Sequence, residues 1–174
     1  KIDELDKKKK AFVKETSETI ITAVVLALII RSFIIQPFKI PTGSMEPTLL
    51  PGDRILVLRY SYGLRIPFTF KKIAKFKKPE IGDIIVFNYP EEIKRAFIKR
   101  CLGLPGDLLE IKNGDVLRNN IPIKKHPVNK VYYYNRGDFG KEGRALTIPK
   151  DSYFALGDNS ASSKDSRYWG FLDE

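Results

Sequence analysis

Ser44 is the first residue of the 174-residue chain whose setting suits chemistry. It lies in Pro41-Thr42-Gly43-Ser44-Met45-Glu46-Pro47-Thr48-Leu49, with a proline three residues away on either side. Proline fixes its own φ and biases the residue before it, here Ile40 and Glu46, away from helix. Gly43 lets another chain approach closely. A serine on a stiff, non-helical segment suits a nucleophile that must meet an extended peptide; it equally suits a plain turn. A nucleophilic serine also needs a proton acceptor. The one histidine, His126, stands in a Lys-rich, Pro-containing stretch, Lys124-Lys125-His126-Pro127, with no orienting acid in view. The alternative base is a lysine made neutral by burial. Lys99 has the surroundings for that, among Phe97, Ile98, Cys101 and Leu102. A free lysine titrates near ~10.4, and burial can bring it to roughly 7–8, where it acts as a base. A lysine on an apolar strand also snorkels to water with no catalytic role. These residues alone leave both readings open.

The composition narrows the partners. With one cysteine, Cys101, no intrachain disulfide can form, and one His with one Cys cannot build an ordinary His/Cys zinc site. The balance of 31 Lys+Arg against 21 Asp+Glu gives net +10, which points to an anionic partner, nucleic acid or a lipid surface.

The elements that must position Ser44 and Lys99 begin with a basic segment, residues 1–19, that holds Lys1, Lys7, Lys8, Lys9, Lys10 and Lys14. An apolar run, Ile20–Ile30, follows; Arg31 and Ser32 interrupt it and Phe33-Ile34-Ile35 resume it. A spanning helix needs about 20 mostly apolar residues. Residues 20–38 approach that length if Arg31 snorkels to the headgroups. A cleaved leader would show an Ala-x-Ala exit site, which is missing, and an interfacial helix would need a polar face that residues 20–30 lack. A buried core helix also fits the run. A single membrane anchor over 20–38 is expected, and the lysines before it place the N-terminus in the cytoplasm and residues 37–174 outside.

Downstream the grammar changes. Pro51-Gly52-Asp53, Ile81-Gly82-Asp83 and Pro105-Gly106-Asp107 each open a β-branched or apolar run, and Pro149-Lys150-Asp151 opens another. Short strands between turns predict a mostly β, antiparallel domain. Lys71–Lys78 is a basic run with Ile73 and Phe76 interleaved, a solvated face or a contact for anionic headgroups. Residues 112–147 are polar and turn-rich, with a hairpin signal at Asn113-Gly114. The expected organisation is a catalytic β core, 39–107 with 148–174, carrying a small β insertion, 108–147.

Four stretches carry a resemblance. Pro41–Leu49, Gly52–Val57, Phe97–Asp107 and Gly157–Gly170 resemble, in order and spacing, the conserved boxes of type I signal peptidases, behind a short N-terminal anchor as in that family. The resemblance implies that Ser44 is the nucleophile and Lys99 the general base of a Ser/Lys dyad. It implies an oxyanion hole from the Ser44 backbone N–H and the Thr42 hydroxyl, with Ser163 hydrogen-bonded to the Lys99 amine. Asp165 and Arg167 would pair to hold their loop, beside Gly157. Ile40, Met45, Leu49, Phe97 and Ile98 would line pockets for small side chains before the cut. Lys164 departs from the family, where a small residue is common. The implied activity is removal of signal peptides from exported preproteins at a plasma membrane, with the bilayer as partner and no metal, cofactor or nucleic acid. Two rivals explain less. A self-cleaving repressor-type Ser/Lys protease would carry a DNA-binding module in place of an anchor. A basic binding module would not place Ser44, Lys99 and Ser163 in matching contexts.

Overall fold

The computed structural model describes residues 2–33, 35–58, 64–65, 72–74, 77–90 and 92–173; of the basic run Lys71–Lys78, residues 71, 75 and 76 lie outside them. The elements in order are α1 (Ile2–Phe33), β1 (Ile35–Lys39), β2 (Arg54–Leu58), β3 (Leu64–Arg65), β4 (Lys72–Ala74), β5 (Ile84–Tyr89), β6 (Glu92–Gly103), β7 (Leu108–Lys112), β8 (Asp115–Arg118), β9 (Ile121–Pro122), β10 (Leu146–Thr147), β11 (Ser152–Leu156), α2 (Ser166–Trp169) and β12 (Leu172–Asp173). They fall into two units, residues 1–37 with 56–77 and residues 38–55 with 78–174.

The first unit holds α1 and the antiparallel β3–β4 pair. The apolar helix was expected to run on to Phe38. It stops at Phe33, and Ile35–Lys39 is a strand instead. Pro37 accounts for the boundary, because it lacks an N–H and disfavours helix at Gln36. Among the described residues no helix is long and apolar enough to cross a membrane. In α1 the apolar run is bounded by Glu18 and Arg31. Thr19 and Thr22 turn their hydroxyls back onto the carbonyls of Glu15 and Glu18. The large apolar side chains from Ile20 to Ile30 are exposed.

The second unit is built from two antiparallel four-stranded sheets, in the orders β12-β11-β6-β5 and β10-β7-β8-β9. One hydrophobic cluster runs through both, from Leu102, Phe154 and Leu156 to Leu109, Ile111, Val116, Tyr133 and Leu146. The region read as a small insertion supplies much of this cluster.

The recurrent turns share one chemistry. Gly52, Gly82 and Gly106 have φ of +97°, +90° and +82° at the third position of their turns. That angle is open to glycine and strained for most other residues. The Asp that follows caps its own turn: Asp53, Asp83 and Asp107 accept from the backbone N–H of Leu50, Glu80 and Leu104 at 2.9, 3.1 and 2.9 Å. Each turn then feeds a strand or, from Asp53, the approach to β2. In this way β6, the 12-residue central strand, is held by β5 on one side and β11 on the other.

Candidate active site

Lys99 sits in the middle of β6, opposite Ile85 of β5. Its side chain is 3% exposed. The Nζ donates to Ser44 Oγ at 2.8 Å and to the Ile98 carbonyl at 2.9 Å. Burial brings its pKa down from 10.5 to about 8, against the opposing pull of the Asp165 and Asp158 carboxylates. A neutral amine is thus within reach near pH 8. Its lone pair then faces the Ser44 hydroxyl, the geometry a serine nucleophile needs from its base.

Ser44 is presented by a short 3-10 turn, Gly43–Met45, between extended Thr42 and Glu46. The turn is pinned from below by Met45, 1% exposed. From the far side Asn159 fixes it, donating its backbone N–H to the Ser44 carbonyl at 3.1 Å and its side-chain amide to the Gly43 carbonyl at 3.0 Å. Thr42 precedes the turn with its hydroxyl not engaged in capping it. Of the five apolar residues assigned to pockets, Ile40 and Met45 are buried, and Leu49, Phe97 and Ile98 are half-buried.

The loop from Gly157 to Arg167 closes over this pair. Gly157 has no room for a side chain: a Cβ there would lie 2.2 Å from Ser163 Oγ and 2.5 Å from the Ser44 carbonyl. Asp165 and Arg167 are both fully buried and meet in a two-pronged pair, Nε to Oδ1 and Nη2 to Oδ2, each 2.8 Å. Asp165 also accepts from the Gly157 backbone at 3.1 Å. Arg167 extends to Ser160 Oγ at 2.8 Å and to the Tyr134 carbonyl at 2.9 Å. Ser163 differs from what the resemblance implied. Its hydroxyl is buried with no hydrogen-bond partner among the described residues, and the Lys99 amine donates to Ser44 and Ile98. Ser163 Oγ instead lies against the Gly157 backbone, in the space a side chain there would take.

Sequence reasoning missed a second buried ion pair. Arg100, the neighbour of Lys99, turns to the other face of β6 and grips Asp158 through Nε at 2.8 Å and Nη2 at 2.6 Å. Thr48 donates its hydroxyl to the same carboxylate, and Arg100 also reaches the Gly82 carbonyl at 2.6 Å. One cluster thereby ties the nucleophile loop, the turn before β5, strand β6 and the Gly157 loop. The signal was present in the adjacency of two cations, Lys99 and Arg100, on one strand, since alternation forces them to opposite faces. The other base weighed from the sequence, His126, is exposed; on β6, burial pushes the Cys101 thiol up to about 12.

Residues 13–174 match the family described as signal peptidase, peptidase S26, and the chain belongs to that family. It is 33% identical to signal peptidase I of Pseudomonas aeruginosa, over 92% of this chain and 64% of that protein. It is 37% identical to probable signal peptidase I-1 of Synechocystis sp., over 94% of this chain and 77% of the relative. A solved signal peptidase I from Enterococcus faecalis is 30% identical, with a TM-score of 0.47 over 57% of this chain and 92% of that one. The chain thus spans just under two thirds of the length of the Pseudomonas relative.

Proposed function

We propose that this chain is a serine endopeptidase that removes signal peptides from exported preproteins through a Ser44–Lys99 dyad. One observation carries the reading: a buried lysine amine 2.8 Å from a serine hydroxyl on a rigid turn. Neutral Lys99 takes the Ser44 proton as Ser44 Oγ attacks the carbonyl before the cut. The oxyanion is met by the Ser44 N–H and the Thr42 hydroxyl, each donor worth about 3 kcal/mol. An ammonium has three donors. Ser44 and Ile98 take two, so the unpartnered Ser163 hydroxyl is the natural acceptor for the third once the proton has moved. Lys99 then gives the proton to the leaving amine and, neutral again, activates the water that releases the acyl-enzyme.

Family membership and the relatives named above support the substrate class. Small side chains are expected at the first and third positions before the cut, against Ile40, Met45, Leu49, Phe97 and Ile98. The protein is proposed to attach to the plasma membrane through α1 as a single pass, with its lysine-rich start in the cytoplasm. The exposed apolar side chains of α1 support this, a short run being accommodated by local thinning and by snorkelling of Arg31. Incubation with a preprotein in detergent, followed by sequencing of the new N-terminus, tests the function. Cleavage after an alanine-like residue is expected; no cleavage, or cleavage without that preference, overturns it.

A further inference from the structure

Phe97 stands two residues before Lys99 on β6, so the two side chains leave the same face of the sheet. The Lys99 Nζ lies 5.2 Å from the centre of the Phe97 ring, over its face. The ring is not free to turn aside. Tyr89 stacks on it with centroids 4.5 Å apart and planes 13° from parallel. Phe87, its partner in the β5–β6 register, meets it edge-on at 6.4 Å. Trp169 braces Phe87 at 5.7 Å and Tyr89 at 6.4 Å. Four aromatic side chains from β5, β6 and α2 therefore fix one π face toward the amine that is read as the base.

We propose that Phe97 is a positioning residue for proton transfer: its ring face stabilises the Lys99 ammonium formed when the Ser44 proton is taken, and Tyr89, Phe87 and Trp169 hold that face in place. The inference rests on the reading of Lys99 as general base. An aliphatic wall would desolvate the amine equally well but give nothing back when charge appears. An aromatic face attracts a cation and is nearly indifferent to a neutral amine. The interaction is therefore stronger in the transition state than before it, which is the condition for accelerating the step.

The other charges around the amine set the background. Asp165 and Asp158 favour the ammonium, each paired with an arginine, Arg167 and Arg100. Arg95 lies over the same Phe97 ring at 5.8 Å and Lys164 over the stacked Tyr89 at 4.9 Å. These two cations compete for the electron density of the stack. From the strand opposite, Ile85 adds no charge.

The test replaces Phe97 in the full chain with mono-, di- and trifluorinated phenylalanine, which keep the ring's shape while draining its negative face. Turnover of a signal-sequence peptide is measured against pH for each. The acid limb of the wild-type profile, expected at about pH 8, should step downward with each fluorine. It should reach a shift of about half a pH unit for the trifluoro ring, with the plateau rate falling alongside. Phe97→Leu, a wall without a π face, should also lower the limb. A limb that stays in place through the fluorinated series overturns the proposal. Lys99→Ala in the same assay separates the two ideas: if it keeps wild-type turnover, the base assignment fails, whereas an inactive Lys99→Ala with an unmoved fluorine series sinks only the role of the ring.

Discussion

As the proposed base, Lys99 would have to be buried enough to lose a proton and close enough to Ser44 to take one, and that burial works against stability while it serves function. Its folded pKa of about 8 lies below 10.5, so between those values the unfolded chain binds the extra proton. Stability therefore rises with pH through that window, and below about pH 8 the buried ammonium costs about 3 kcal/mol. Lys99→Met should raise the melting temperature at pH 7 and lose that advantage above about pH 10.5; a variant no more stable than wild type at pH 7 would contradict the burial cost. The same substitution should abolish cleavage, as should Ser44→Ala, while His126→Ala, at an exposed position, should cleave at the wild-type rate. Loss of activity in His126→Ala with retention in Lys99→Met would exchange the bases. Much of this was legible in the chain because the chemistry of a serine protease limits the partners, and the chain offers only one histidine. The unpartnered state of the Ser163 hydroxyl was not legible, because it depends on how the Gly157 loop packs, which no residue pattern encodes.

The elements that hold the dyad depend on two buried ion pairs, Arg167–Asp165 and Arg100–Asp158, whose side chains are all at most 5% exposed. Such pairs add little net stability when intact. Removing one partner leaves an uncompensated charge and costs roughly 3–5 kcal/mol. Arg167→Leu would strand Asp165 under Gly157 and free the loop that carries Ser163. Arg100→Leu would strand Asp158 and free Thr48 on the nucleophile loop. Each should lower stability by that amount in urea melts, and the two should add. Additivity follows because the two pairs have separate hydrogen-bond partners; strong coupling between them would mean that the Gly157 loop responds as one piece. At this scale the turns were readable, since a Gly followed by Asp has a specific geometric task. The helix boundary was misread because apolar content was followed past Pro37. In the 108–147 region the polar turns mask the alternate residues, Ile111, Val116 and Tyr133, that enter the common cluster.

At the scale of the whole molecule the proposed anchoring makes a physical demand: a helix with a short apolar run would have to hold a bilayer. The described part of α1 does not meet the length and apolarity needed to cross, yet Ile20, Ile21, Val24, Val25, Leu26 and Leu28 all stand exposed. Two forces compete for the explanation. Burial of those side chains is insensitive to salt. Attraction of the chain's net +10 to anionic headgroups fades within a Debye length of about 8 Å at physiological ionic strength. Val24→Lys with Leu28→Lys puts two charges in the apolar run, at roughly 2.5–3.5 kcal/mol each if the run reaches the bilayer centre. The wild-type protein should float with uncharged phosphatidylcholine vesicles and stay with them in 1 M salt, while the double variant should remain in solution. The variant should cleave a soluble peptide at the wild-type rate, because Ser44 and Lys99 are both carried by the second unit, but lose turnover of a preprotein embedded in vesicles. A wild-type protein that washes off in high salt and binds only anionic vesicles would leave α1 a charge-held surface helix, and the single-pass reading would fall while the peptidase reading stood.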